Sequence, residues 1–185
     1  MKITIGITGA SGAIYAKRLL EYIAQDKQVE KIALIYSQTA LKVWQHELNE
    51  EIFSHKKITL YDNQDYFSPV ASGSAKYDAM VVVPCSMGTM GKIANSIADN
   101  LISRAADVML KENRRLVIVP RETPYNLIHL KNMEKLILAG AHIIPASPSF
   151  YSRPENINQL VDTVIYKILD HIGLENNFLG WGEEF

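Results

Sequence analysis

The sequence predicts an α/β fold, a doubly wound and mainly parallel sheet, and three observations carry that expectation. Short runs rich in Val, Ile and Thr alternate with longer stretches of helical periodicity, the pattern made by parallel strands joined through crossover helices. Two of the runs, Ala79 to Pro84 and Arg115 to Val119, are apolar almost throughout, as strands covered by helices on both faces are. Three runs end in polar loops, at Gly9 to Gly12, Cys85 to Thr89 and Pro120 to Pro124. In an open parallel sheet, ligands bind beyond the carboxyl ends of the strands where strand order reverses, so these loops are expected to meet.

The first unit is Ile3 to Ala16, ITIGITGASGAIYA, which reads as strand, tight loop and helix. Alternating β-branched residues through Thr8 suit the strand. Gly9 and Gly12 permit dihedrals and close approaches that a Cβ would block, and Ser11 is placed to cap the helix. Backbone N–H groups and a helix dipole aimed at one spot favour a phosphate. The spacing Gly-x-x-Gly-x-x-Gly is neither the dinucleotide fingerprint nor the Lys-bearing P-loop, however, and a plain strand-to-helix turn reads equally well.

Leu19, Leu20 and Ile23 then fall at helical spacing over 16–24, and 31–37 is a second strand. A helix is expected from Ser37 through Glu47, with Leu41, Val43 and Trp44 as its buried stripe. A short strand over 57–61 leads into the polar loop 62–74. That loop carries Tyr66, Phe67 and the small residues Ala71-Ser72-Gly73-Ser74, which would let a flat ligand lie close to the backbone. Helices are expected through Ala94 and over 99–112, then a helix over 133–139, a short strand over 142–145 and a long amphipathic helix over 157–172 before the tail GWGEEF. With strands in the order 3-2-1-4-5-6, the reversal falls between the first and fourth, whose loops carry Ser11 and Ser86.

A chain of 185 residues suffices for one well-buried core, so a single domain over 1–185 is expected, with the long helix and tail at its C-terminus. A net charge of −1 gives no reason to expect nucleic acid or an anionic membrane as partner, and any anion site must be local. The single cysteine, Cys85, cannot form an internal disulfide, the start lacks the apolar core of a signal peptide, and no run approaches the about 20 residues that span a bilayer. A cytoplasmic location is the expectation. No Asp-rich segment suits Mg²⁺ and no Cys/His cluster suits zinc, so no metal is expected.

Taken together, GASGA after the first strand, ASGS before the fourth, PCSMGT after it, RAADV in the long helix, then VPRETP, IHLKNM and PSFYSRP closely resemble the UbiX flavin prenyltransferase family, formerly described as aromatic-acid decarboxylases. The resemblance covers essentially the whole chain. It implies a Rossmann-like flavoprotein domain with reduced flavin mononucleotide (FMN) in the cleft as prenyl acceptor. It further implies transfer of a dimethylallyl group from dimethylallyl monophosphate to N5 and then C6, without metal, giving the prenylated FMN used by UbiD-type decarboxylases in ubiquinone or related aromatic-acid metabolism. Relatives form large homo-oligomers, often dodecamers, with sites at subunit contacts.

By motif correspondence the resemblance places Gly9, Ala10, Ser11, Ser37, Ser86, Met87, Gly88, Thr89 and Arg121 around the flavin. Tyr66, Arg104, Lys111, Tyr151, Lys167 and Trp181 would meet the prenyl donor, and Ser11, Glu47 and Glu122 would handle protons. The chemistry asks for such groups: breaking an allylic C–O bond needs phosphate clamps, a proton source and electron-rich faces near a developing cation. Arg104 and Lys111, seven apart on one helix, share a face, since two turns take about 7.2 residues. A carboxyl group beside bound phosphate is expected to have a raised pKa and so to donate a proton. Tyr66 stands where some relatives have Trp. Lys167 stands where many have Arg, and a Lys holds phosphate as a point charge without the bidentate fork.

Two other readings share the fold. A flavin-dependent cysteine decarboxylase would carry Pro-Ala-Ser-Ala-Asn-Thr where this chain has Pro84-Cys85-Ser86-Met87-Gly88-Thr89, and Gly88 in place of that Asn argues against it. An FMN carrier without chemistry would have little use for so many phosphate-clamp candidates.

Overall fold

The computed structural model describes residues 1–176 and 182. Six strands, β1 (Lys2–Ile7), β2 (Lys31–Tyr36), β3 (Ile58–Tyr61), β4 (Ala79–Cys85), β5 (Arg115–Pro120) and β6 (His142–Ile143), form one sheet in the order β3-β2-β1-β4-β5-β6. Every pairing is parallel. Six helices connect or follow them: α1 (Ala13–Gln25), α2 (Gln38–Leu48), α3 (Met87–Ala94), α4 (Leu101–Lys111), α5 (Leu127–Leu138) and α6 (Ile157–Ile172). The strand order is the one the sequence reading posited, with its reversal between β1 and β4.

Period-two alternation divides the strands between two cores. Ile3, Ile5, Ile7, Val81 and Val83 face α1 and α6, whereas Met80 and Val82 face the side covered by α3 and α4. All of these residues are essentially inaccessible, and each contributes about 1.5–3 kcal/mol by leaving water. On the second face α4 lies directly on β1, because Gly6 has no side chain; a Cβ there would stand 3.1 Å from Ile102 Cγ2. On the first face, Arg18 of α1 grips Asp162 of α6 with both prongs of its guanidinium, at 2.8 and 2.7 Å. Tyr22 adds a third bond to the same carboxylate.

Three local expectations differ from the structure. Helix α5 begins at Leu127, six residues before the expected Met133, because its buried side, Asn132, Met133 and Leu136, occupies only its middle. Its first turn is fixed instead by a capping box between Asn126 and His129. The 62–74 loop contains two short 3₁₀ turns, Pro69–Ala71 and Gly73–Ala75. Finally, Ser11 does not cap α1: the cap position is Gly12, at φ 111°, where a residue without a Cβ is needed.

Candidate active site

Where β1 and β4 part, Thr8 ties their ends together. Its buried hydroxyl donates to the Pro84 carbonyl at 2.8 Å and accepts from the Ser86 amide at 2.7 Å. Three helices that start at this edge, α2, α3 and α4, carry side-chain caps. Ser37 accepts from the Ala40 amide, Ser86 from Thr89, and Asn100 from Ser103. Asn63 adds a second cap to α4, its side chain accepting from Ile102 and its carbonyl from Leu101.

These helix ends surround a cavity of about 490 Å³. Of the residues assigned to the flavin from sequence, Gly9, Ser37, Ser86, Gly88 and Thr89 line it, while Ala10 is buried beneath the loop. Gly9 is required for close approach: a Cβ there would meet Thr39 Cγ2 at 2.5 Å, so the β1 loop could not lie against the start of α2. Gly88 has open space on its Cβ side. Thr39, Asn63, Gln64 and Lys92 also line the cavity and were not singled out from sequence. A polar residue at the second position of a capped helix, as Thr39 is after Ser37, was the available signal for the first of them. The volume, the hydroxyl donors and the helix N-termini fit a flavin mononucleotide.

Beside this cavity, Glu47 reaches from the end of α2 to the start of α1. Its carboxylate accepts from the Gly12 amide at 2.9 Å and the Ala13 amide at 2.8 Å. The N-terminus of α1 therefore already holds an anion belonging to the chain, which favours the strand-to-helix turn over a set of free amides for phosphate. Partial burial works to raise the Glu47 pKa. Hydrogen bonds from the Ser11 hydroxyl and the two amides, with the nearby Arg121 charge, outweigh it and hold the group below its ordinary value. Glu47 is thus a hydrogen-bond acceptor at the start of α1, with its charged form favoured.

Arg121, at the end of β5, donates from Nε to the Ser11 carbonyl at 3.0 Å. Ser11, Glu47 and Arg121 are in this way brought together from the β1 loop, the end of α2 and the end of β5. Glu122, next in the chain, accepts from the Thr123 amide at 2.9 Å. Met87 opens α3 and is partly buried against the second core.

Among the described residues, those assigned to the donor are spread over several elements. Arg104 donates from Nε to the Ala71 carbonyl at 3.1 Å and pairs loosely with Asp107 at 3.4 Å. Lys111 is exposed at the last position of α4, about 10 Å farther along the axis at 1.5 Å per residue. That is the edge where strands begin, away from the cavity. Ser72-Gly73-Ser74 lies at the same edge, where Gly73 accommodates the Glu112 side chain and its carbonyl accepts from Arg114. Its smallness serves that contact and not, within one chain, a ligand over the β1 loop. Lys167 is exposed five residues before the end of α6, whose last carbonyl is bound by Arg115 at the start of β5. Tyr66 donates to the Ala98 carbonyl at 3.3 Å, and Tyr151 is half-buried in the segment before α6. Trp181 lies outside the described residues.

A model of the flavoprotein family matches residues 1–169. The flavin prenyltransferase UbiX of Methanocaldococcus jannaschii is 49% identical over 185 aligned residues, covering 98% of this chain and 99% of that protein. Among solved structures, AnUbiX (PadA1) in complex with FMN and dimethylallyl pyrophosphate superposes with a TM-score of 0.87 at 38% identity, covering 97% of this chain and 98% of that one. A dodecameric FMN-dependent UbiX-like decarboxylase from Escherichia coli O157:H7 superposes at 0.89 with 37% identity, covering 97% and 100%.

Proposed function

This chain belongs to the flavoprotein family and, within it, to the UbiX flavin prenyltransferases, and from that premise we propose how its own residues carry out the transfer of a dimethylallyl group to reduced FMN. The observation that carries the reading is the meeting of Ser11, Glu47 and Arg121 beside the cavity at the β1/β4 reversal. When bound, reduced FMN supplies the nitrogen and carbon, N5 and C6, that accept the group. Ser37, Ser86 and Thr89 offer hydroxyls to the flavin's polar parts, and Gly9, Ala10, Met87 and Gly88 allow backbone and apolar contact.

Ser11, its hydroxyl bonded to an ionised Glu47, is set to pass a proton toward that carboxylate, the direction needed when an acceptor atom loses one. Arg121 neutralises negative charge on the departing phosphate, and Glu122 beside it returns a proton to that phosphate. The remaining clamps, Arg104, Lys111, Tyr151 and Lys167, with Tyr66 and Trp181 as aromatic faces, complete the donor site only when another copy is present. We take the working form to be a homo-oligomer, a dodecamer by analogy, made of single-domain chains in the cytoplasm and feeding a UbiD-type decarboxylase.

The test is to mix the protein anaerobically with reduced FMN and, in parallel, dimethylallyl monophosphate or diphosphate, with no added metal, and to weigh the released flavin by mass spectrometry. A five-carbon adduct is expected with the monophosphate. Unchanged flavin with both donors, despite FMN binding, would overturn the reading.

A further inference from the structure

Among the described residues lining the cavity, Lys92 is the one cation and Asp99 the one acid. Lys92 stands on α3 one turn beyond Thr89 and reaches across the connection to α4, placing Nζ 2.7 Å from Asp99 Oδ2. Both side chains are substantially exposed, at 40% and 50%. An ion pair so open to water adds little to folding stability. Nor does α4 depend on it for a cap, since Asn100 and Asn63 already serve its first amides. The pair therefore holds an ammonium, balanced only by Asp99, at the rim of a cavity whose other lining groups are neutral.

A phosphate monoester brings nearly two negative charges into such a cavity. Ser37, Thr39 and Thr89 offer hydroxyl hydrogen bonds but no countercharge, and Arg121 is engaged with the Ser11 carbonyl and Glu47 beside the cavity. Resting on the flavin reading of this cleft, we propose that Lys92 binds the terminal phosphate of FMN and that Asp99 is the counter-ion that holds Lys92 at the rim and competes with the phosphate for it. An ammonium on a flexible stem suits this exchange, because it can turn from carboxylate to phosphate without a fixed fork to realign. The assignment makes Lys92 a determinant of selectivity for the phosphorylated flavin over riboflavin, which lacks only that group.

The experiment titrates the wild-type protein, Lys92→Met, Lys92→Arg and Asp99→Asn with FMN and with riboflavin, following flavin fluorescence at low and high salt. Lys92→Met is expected to weaken FMN about tenfold or more, the effect of losing one charged hydrogen bond, and to leave riboflavin unchanged. Lys92→Arg should keep the preference for FMN. Asp99→Asn should tighten FMN and make its affinity more sensitive to salt, by releasing Lys92 from its competitor. An FMN-to-riboflavin affinity ratio that is the same in wild type and Lys92→Met would overturn the proposal while leaving the flavin site intact. Parallel weakening of both flavins would likewise overturn it, by assigning the pair a purely structural role. Failure of the wild type to bind either flavin would instead remove the flavin reading on which the proposal stands.

Discussion

At the carboxyl ends of the strands, polar groups are paired within the chain: Thr8 with Pro84 and Ser86, Glu47 with Gly12 and Ala13, and Arg121 with Ser11. At the opposite edge, Lys111 stands exposed at the end of α4 and Lys167 near the end of α6. The contrast teaches that, on the proposed reading, one chain supplies the flavin cleft with Arg121 beside it, whereas Lys111 and Lys167, two of the groups proposed for the donor's phosphate, are presented outward. Such an arrangement becomes a complete site when the outward edge of one copy meets the cleft of another.

The sharpest way to break this division acts on the chemistry alone. Glu122→Gln is expected to lower turnover by about 10²–10⁴, the usual span for loss of a general acid, with FMN affinity unchanged; stopped assays and flavin titration on the same sample check it. Next, Arg121→Ala and Lys111→Ala should each reduce turnover by about 10² or more. Mixed and reassembled together, the two inactive chains should regain activity, because some sites then take Arg121 from one copy and Lys111 from another. Recovery no greater than either parent alone would place both groups in one chain.

A smaller effect tests what the small-residue segment does. Gly73→Ala should cost less than about 1 kcal/mol, read as a shift in denaturant midpoint, since its Cβ would displace only the flexible, exposed Glu112 side chain; FMN affinity should not move. The smallest effect concerns Glu47. Its folded pKa lies below its ordinary value of 4.5, so the stability it contributes is present above that value and lost as pH falls through the folded pKa. Exposure screens the interaction, and Glu47→Gln should flatten the fall in stability below the ordinary value of 4.5 only slightly.

The strands and the three polar loops at their ends were legible in the sequence because each rests on local pattern, namely β-branched runs, flanking glycines and helical spacing between them, whereas the strand order was supposed from the fold class. What escaped was long-range. Nothing near Ser11 indicates that the cap of α1 arrives from Glu47, more than thirty residues on, or that the glycine of Ala71-Ser72-Gly73-Ser74 is small for the sake of Glu112. The start of α5 was hidden for another reason. Leu127 and Ile128 are exposed, at 68% and 70%, so the periodicity that marks a core-facing helix begins only with the buried residues near Met133. For the site, motif resemblance supplied Gly9, Ser37, Ser86 and Thr89, whereas Thr39 and Lys92 needed coordinates, since their importance lies in which cavity they border.

The carboxylate that closes the start of α1 also bears on the thermodynamics of ligand capture. With Gly12 and Ala13 already bonded, and Arg121 drawn to Ser11, the first loop is held in shape by the chain itself. A flavin arriving there finds a surface with little backbone freedom left to lose. Its association should therefore carry a small ordering penalty and proceed as docking to a rigid seat, the loop's entropy having been given up when the protein folded.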